Sequence, residues 1–160
     1  MRMTQQRGFS MIEVLVALVI LAVGLLGVAT MQSVSLQASK NANLRSVAIF
    51  LASDMADRMR ANQAGWQAGN YNTEAGGAKK TNCISTAGCD PADMAAHDKW
   101  EWKQLIESTL PAGKGTISRP DPAANDFVIT VSWTDKVRLE NATGAKVDTD
   151  TSSVVLNFQP

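Results

Sequence analysis

From Val14 to Ala29 the chain runs through sixteen residues without one polar or charged side chain. Taken back to Phe9 and forward to Met31, the segment is 23 residues long, and only Ser10, Glu13 and Thr30 interrupt it. A helix of roughly 20 apolar residues crosses the hydrocarbon core of a bilayer. Such a helix at an N-terminus is either a membrane anchor or a rod enclosed by partners.

Two details separate it from an ordinary secretory signal. In such a signal a small-residue cleavage site follows the apolar region. Here Arg2 and Arg7 come first and the small residue, Gly8, precedes the run, so cleavage there would keep the helix in the mature chain. The second detail is Glu13. A carboxylate in a membrane helix is costly, and such groups are usually paired and functional. A new N-terminus at Phe9 would supply a cation, and an acid in the first turn suits the helix dipole.

Gly8-Phe9-Ser10-Met11-Ile12-Glu13 followed by Val-Leu-Val-Ala-Leu resembles the class III signal of type IV pilins and pseudopilins. The resemblance implies a prepilin peptidase that cuts between Gly8 and Phe9 and N-methylates Phe9. It also implies that Glu13 aligns an incoming subunit by pairing with a neighbour's N-terminal amine. The competing reading of the same residues is a plain signal anchor.

The whole chain has 160 residues, 15 basic and 15 acidic; loss of Arg2 and Arg7 with the leader leaves a net charge of −2. That balance gives no general nucleic-acid footprint, which would be strongly basic. The basic leader places the N-terminus in the cytoplasm by the positive-inside rule. Everything after Met31 then lies beyond the inner membrane, where Cys83 and Cys89 meet an environment that favours disulfides.

The expected organisation has four parts: a leader over 1–8, a transmembrane or fibre-core helix over 9–31, an amphipathic continuation over 32–62, and a periplasmic α+β domain over 63–160. No proline falls between Phe9 and Asn62, so one helix of about 80 Å is expected. Gly24 and Gly27 suit either close packing between membrane helices or local flexibility on entering a fibre. Leu44, Val47, Ala48, Leu51, Met55 and Met59 form one apolar stripe, the mark of a core-facing helix. Ile49 and Phe50 fall off it, which leaves two readings: contact with neighbouring subunits, or cover by a curved core.

Glycines and asparagines from Gln63 to Asp90 predict an irregular connection. Cys83 and Cys89 enclose five residues and suit a small disulfide loop; they lack the histidine or further cysteines of a structural zinc site. Asp90-Pro91-Ala92-Asp93 reads as a helix start, with the helix running to about Leu110. Ala95, Trp102, Leu105, Ile106 and Thr109 share its core face. Trp100 points away and is a candidate exposed partner contact; His97, the sole histidine, is expected in solvent. Strands are expected over 114–119, 126–134 and 153–159, with 136–139 a further strand or hairpin approach and 141–151 a polar loop. A small antiparallel sheet then covers the helix stripe.

Cys89-Asp90-Pro91-Ala92, Asp98-Lys99-Trp100-Glu101-Trp102, Leu105, Leu110-Pro111, Gly115-Thr116-Ile117-Ser118 and Val131-Ser132-Trp133 resemble the PilV-like minor pilins, the type IV pilus modification proteins. That resemblance implies a pilin-like fold and a non-catalytic subunit without cofactor or metal. Its implied partners are other minor pilins, the major pilin and, before assembly, inner-membrane lipid. Two other readings compete: a type II secretion pseudopilin and a membrane-anchored periplasmic enzyme. The latter lacks a nucleophile with an acid–base set. A tip adhesin using Trp100 or the 65–88 loop is a third.

Overall fold

A computed structural model describes residues 8–86, 88–121, 124–139 and 146–160, without the side chains of 136–139 and 146–150. The leader arginines Arg2 and Arg7 and positions 140–145 of the expected polar loop lie outside the described residues. The chain divides into two compact units, Met1–Lys40 and Asn41–Pro160.

Helix α1 spans Met11–Ala61, with Glu13 in its first turn and Arg58 and Arg60 in its last, each charge opposing the local end of the helix dipole. It starts two residues after the expected Phe9: the Ser10 carbonyl accepts hydrogen bonds from the Glu13 and Val14 N–H groups, leaving Phe9 outside.

In the second unit, Leu44, Ala48, Leu51, Ala52, Met55, Ala56 and Met59 of α1 are buried, with Val47 packed beside them. The predicted stripe is therefore core, widened by two alanines. Ile49 and Phe50 are 48 % and 67 % exposed, on the side away from the core.

The connection expected to be irregular contains structure. Asn62 caps a five-residue helix, α2 (Gln63–Gln67), by accepting from the Gly65 N–H. Trp66 and Tyr71 are buried, and these aromatic anchors turn a Gly/Asn-rich stretch into part of the core. A 3-10 turn follows at Thr81–Ile84.

Helix α3 (Pro91–Thr109) begins as its sequence dictates: Asp90 accepts from the Asp93 N–H and Pro91 opens the first turn. Ala95, Trp102 and Ile106 are fully buried. Leu105 and Thr109 are exposed instead, because the core face is narrow and both sit on its rim. The other flank of α3 is covered, so that His97, Asp98 and Lys99 are buried. The solvated position expected for His97 is thus wrong: the chain after Tyr71 folds back over it.

Strands β1 (Lys114–Ser118), β2 (Phe127–Leu139) and β3 (Lys146–Phe158) form an antiparallel sheet in that order. Gly115 permits β1 to lie against α3, since a Cβ there would stand 2.5 Å from the Trp102 ring. Ile117, Phe127, Ile129, Val131, Trp133 and Phe158 face the core. The β2–β3 ladder runs from Phe127↔Phe158 to Leu139↔Lys146. Residues 136–139 therefore extend β2, and 146–151 are strand where a polar loop was expected. Backbone pairing sustains a ladder where the apolar alternation has stopped.

Candidate assembly site

The first described residues, Gly8 and Phe9, precede α1 and are exposed, Phe9 by 84 %. A peptide bond outside a helix is open to a peptidase. Glu13 follows in the first helical turn with no ionic partner among the described residues. Beyond it the large apolar side chains are all exposed, from Val14 through Met31 to Leu36. The helix is long and apolar enough to cross a membrane, and none of its most apolar stretch is buried within the chain. Exposed apolar surface on this scale marks a membrane or protein interaction site.

The remaining predicted residues sit together on α3 and the segment leading to it. Cys83 and Cys89 are joined, with Cα atoms 4.8 Å apart. Trp100 is half-buried; it stacks on His97 at 5.8 Å, and the Lys79 ammonium lies 5.5 Å from its centroid. The open aromatic contact expected from the helical wheel is partly covered by that segment. Residues 77–80 lie along α3, with the Ala78 N–H donating to the Ala96 carbonyl and the Lys80 N–H to His97 Nδ1 at 3.2 Å. Gly77 lets the backbones meet, because a Cβ there would stand 3.1 Å from the Trp100 nitrogen.

Lys80 pairs with Asp93 at 2.7 Å. That contact raises the lysine's pKa and, from the other side, lowers the aspartate's. Lys99 is buried and donates to the carbonyls of Asn70 and Ala75, both at 2.7 Å. Its pKa is lowered, first by burial.

A polar cluster that the sequence did not reveal joins α1 to α3. Arg58 reaches Asp54 at 2.9 Å, Glu101 at 2.5 Å and Asp98 at 3.5 Å. Tyr71 donates its hydroxyl proton to Asp98. Asn62 donates to the Tyr71 oxygen at 3.1 Å and to the Pro91 carbonyl at 2.8 Å. Burial works against the Arg58 charge, but the bonds to Glu101 and Asp54 outweigh it and its pKa rises. Burial, then donation to Asp98, pushes the Tyr71 phenol well above its ordinary 10.0. The Arg58 bond holds Glu101 below its ordinary 4.5. Only the Asp54–Arg58 spacing of four was a signal available in advance. No group of three or more potential metal ligands occurs among the described residues.

The N-terminal region, residues 3–29, matches the family model of the prokaryotic N-terminal methylation motif. Residues 30–100 match the model described as type IV pilin Tt1218. Comparison with curated proteins and with solved structures finds no match. The methylation motif implies processing by a prepilin peptidase and assembly with other pilins. With the two matches running consecutively from residue 3 to residue 100, and a long helix packed on an antiparallel sheet, the chain belongs to the type IV pilins.

Proposed function

We propose that the chain is a minor type IV pilin of the PilV-like kind, acting by assembly without turnover of a substrate. The observation that carries this reading is the exposed apolar helix headed by Glu13, with Gly8 and Phe9 accessible just before it. Prepilin peptidase cuts the Gly8–Phe9 bond and methylates Phe9. The helix waits in the inner membrane with its N-terminus cytoplasmic and residues 41–160 periplasmic. Glu13, without an ionic partner in its own described chain, pairs with the amine of a neighbouring subunit as the helix enters the fibre. Phe50 and Ile49 extend the contact onto the second unit. The minor role, in priming or at the tip in support of piliation, adhesion, twitching or DNA uptake, rests on the resemblance carried by residues 89–133.

Mass spectrometry of sheared surface fibres tests the proposal. A peptide beginning at N-methylated Phe9, much scarcer than the major subunit's, is the expected result. Mature chain found only in the envelope favours a secretion pseudopilin or a transient primer. Uncut chain beginning at Met1 overturns the assignment. Glu13→Ala is expected to leave cleavage intact and reduce incorporation, whereas Gly8→Val blocks maturation.

A further inference from the structure

We propose that His97 is a pH-sensitive latch: neutral, it holds residues 77–80 against α3, and protonated, it releases them and uncovers Trp100. His97 Nδ1 accepts from the Lys80 N–H at 3.2 Å, in a site where the residue is 5 % exposed. An imidazolium has a proton on both nitrogens and cannot accept. Protonation therefore turns this bond into two opposed donors, and a buried N–H without a partner is costly. Histidine is the side chain whose ordinary charge change falls between pH 5 and 8.

Charged groups face His97 from the elements packed against it. On its own helix stand Asp93, Asp98 and Glu101, and Arg58 of α1 is engaged with the last two. The folded-back segment supplies Lys79 and Lys80, the latter neutralised by Asp93. The 3-10 turn that packs on α3, Thr81–Ile84, carries no charge. Asp93 is held below its ordinary value, so its pair with the Lys80 side chain persists as His97 charges and tethers that long side chain while the backbone of residues 77–80 lifts from α3.

Release has a defined extent. The latch bond sits two residues from the Ala78–Ala96 backbone bond and beside the Lys79–Trp100 contact. At the far end the Cys83–Cys89 bridge limits the opening. Trp100 stacks on His97 itself, so a charged, displaced imidazole exposes the indole.

Nuclear magnetic resonance on the full mature chain in detergent tests the latch, because one histidine gives one unambiguous imidazole signal. At pH 7.5 Nδ1 is expected to show the unprotonated signature, with the Ala78 and Lys80 amides protected from exchange. At pH 5 the imidazolium signature is expected together with at least a tenfold loss of protection at both amides, after correction for intrinsic rates, while Ile129 is unchanged. His97→Gln, which keeps an acceptor without titrating, is expected to hold protection at both pH values. An imidazolium coexisting with full protection overturns the proposal, as does a ring that stays neutral at pH 5. An equal loss of protection in a folded His97→Gln also overturns it. If that variant fails to fold, the two wild-type signals decide.

Discussion

The indole nitrogen of Trp102 donates a hydrogen bond to the backbone carbonyl oxygen of Leu51 at 2.8 Å. That oxygen is also placed to serve the helical ladder of α1, so one bond fastens α3 to the middle of the buried half of the long helix. Trp102 is fully buried, and β1 lies on it at Gly115. Trp102→Phe is expected to cost about 2–3 kcal/mol, from a lost hydrogen bond and a partly unfilled site. Trp102→Ala is expected to cost about 3–5 kcal/mol. Denaturant unfolding of the mature chain in detergent, followed by near-ultraviolet dichroism, measures both. Equal stabilities would show that α3 is held elsewhere.

Arg58 links three carboxylates on two helices, and that predicts a particular acid response. Glu101 lies below its ordinary 4.5 because of Arg58. A carboxyl lowered on folding stabilises the native state above its unfolded pKa, and the contribution disappears as pH falls through the folded value. Glu101→Gln is therefore expected to destabilise the protein at pH 6–7 and to converge on the wild type as pH falls below 4.5 and through the lowered folded value. Glu101 is partly exposed, so the neutral-pH difference is expected to be below about 1 kcal/mol. Melting temperatures across pH 2–7 check the sign; a constant difference would mean the effect is packing.

The parts legible in the sequence were those whose local pattern and tertiary role coincide. The Asp90 cap with Pro91 predicted the start of α3, and the alternation of Phe127, Ile129, Val131 and Trp133 predicted β2 and its buried face. At the assembly site, the expectation for Gly8, Phe9 and Glu13 rests on their fixed spacing, and these positions fall within the 3–29 match to the methylation motif. His97, Asp98 and Lys99 were not legible, because their burial depends on residues 70–80 folding back over α3. Nothing periodic marks a Gly/Asn-rich stretch as a lid. Tyr71 is the anchor of that lid, and one aromatic among turn residues has no pattern to betray it. The extension of β2–β3 to Lys146 was hidden for the opposite reason: pairing continues where hydrophobic alternation ends.

Tyr71 is the chain's sole tyrosine, so tyrosinate absorbance at 295 nm reports one group. Burial and donation to Asp98 raise its pKa above the ordinary 10.0. A raised pKa means that the stabilising effect is complete below pH 10 and is lost as pH rises toward the folded value. No tyrosinate is expected through pH 10.5 in the native protein, with a titration near 10 in denaturant. Ionisation near 10 without unfolding would show that the Tyr71–Asp98 bond does not persist. Tyr71→Phe, which leaves Asp98 without that donor, is expected to cost about 1–3 kcal/mol.

The Cys83–Cys89 bridge has a sequence separation of 6, and the chain-entropy description assigns a loop of that size roughly 2 kcal/mol. Cys89 is followed directly by Asp90, the cap of α3, so the loss should be felt where α3 begins. Paired Cys83→Ser and Cys89→Ser substitutions are expected to lower stability by about that amount. Hydrogen exchange should rise over 81–94 and stay unchanged in β2. A melting temperature identical to wild type would assign the bridge no stabilising role, and thiols reacting in the native wild-type protein would show that it does not form. Substitution of both cysteines avoids a lone thiol that could couple two subunits and mimic destabilisation through aggregation. The regional pattern separates a loop tether from a general staple: Trp102 lies about three turns along α3 from the cap beside the bridge, and its hydrogen bond to Leu51 is expected to survive the bridge's removal.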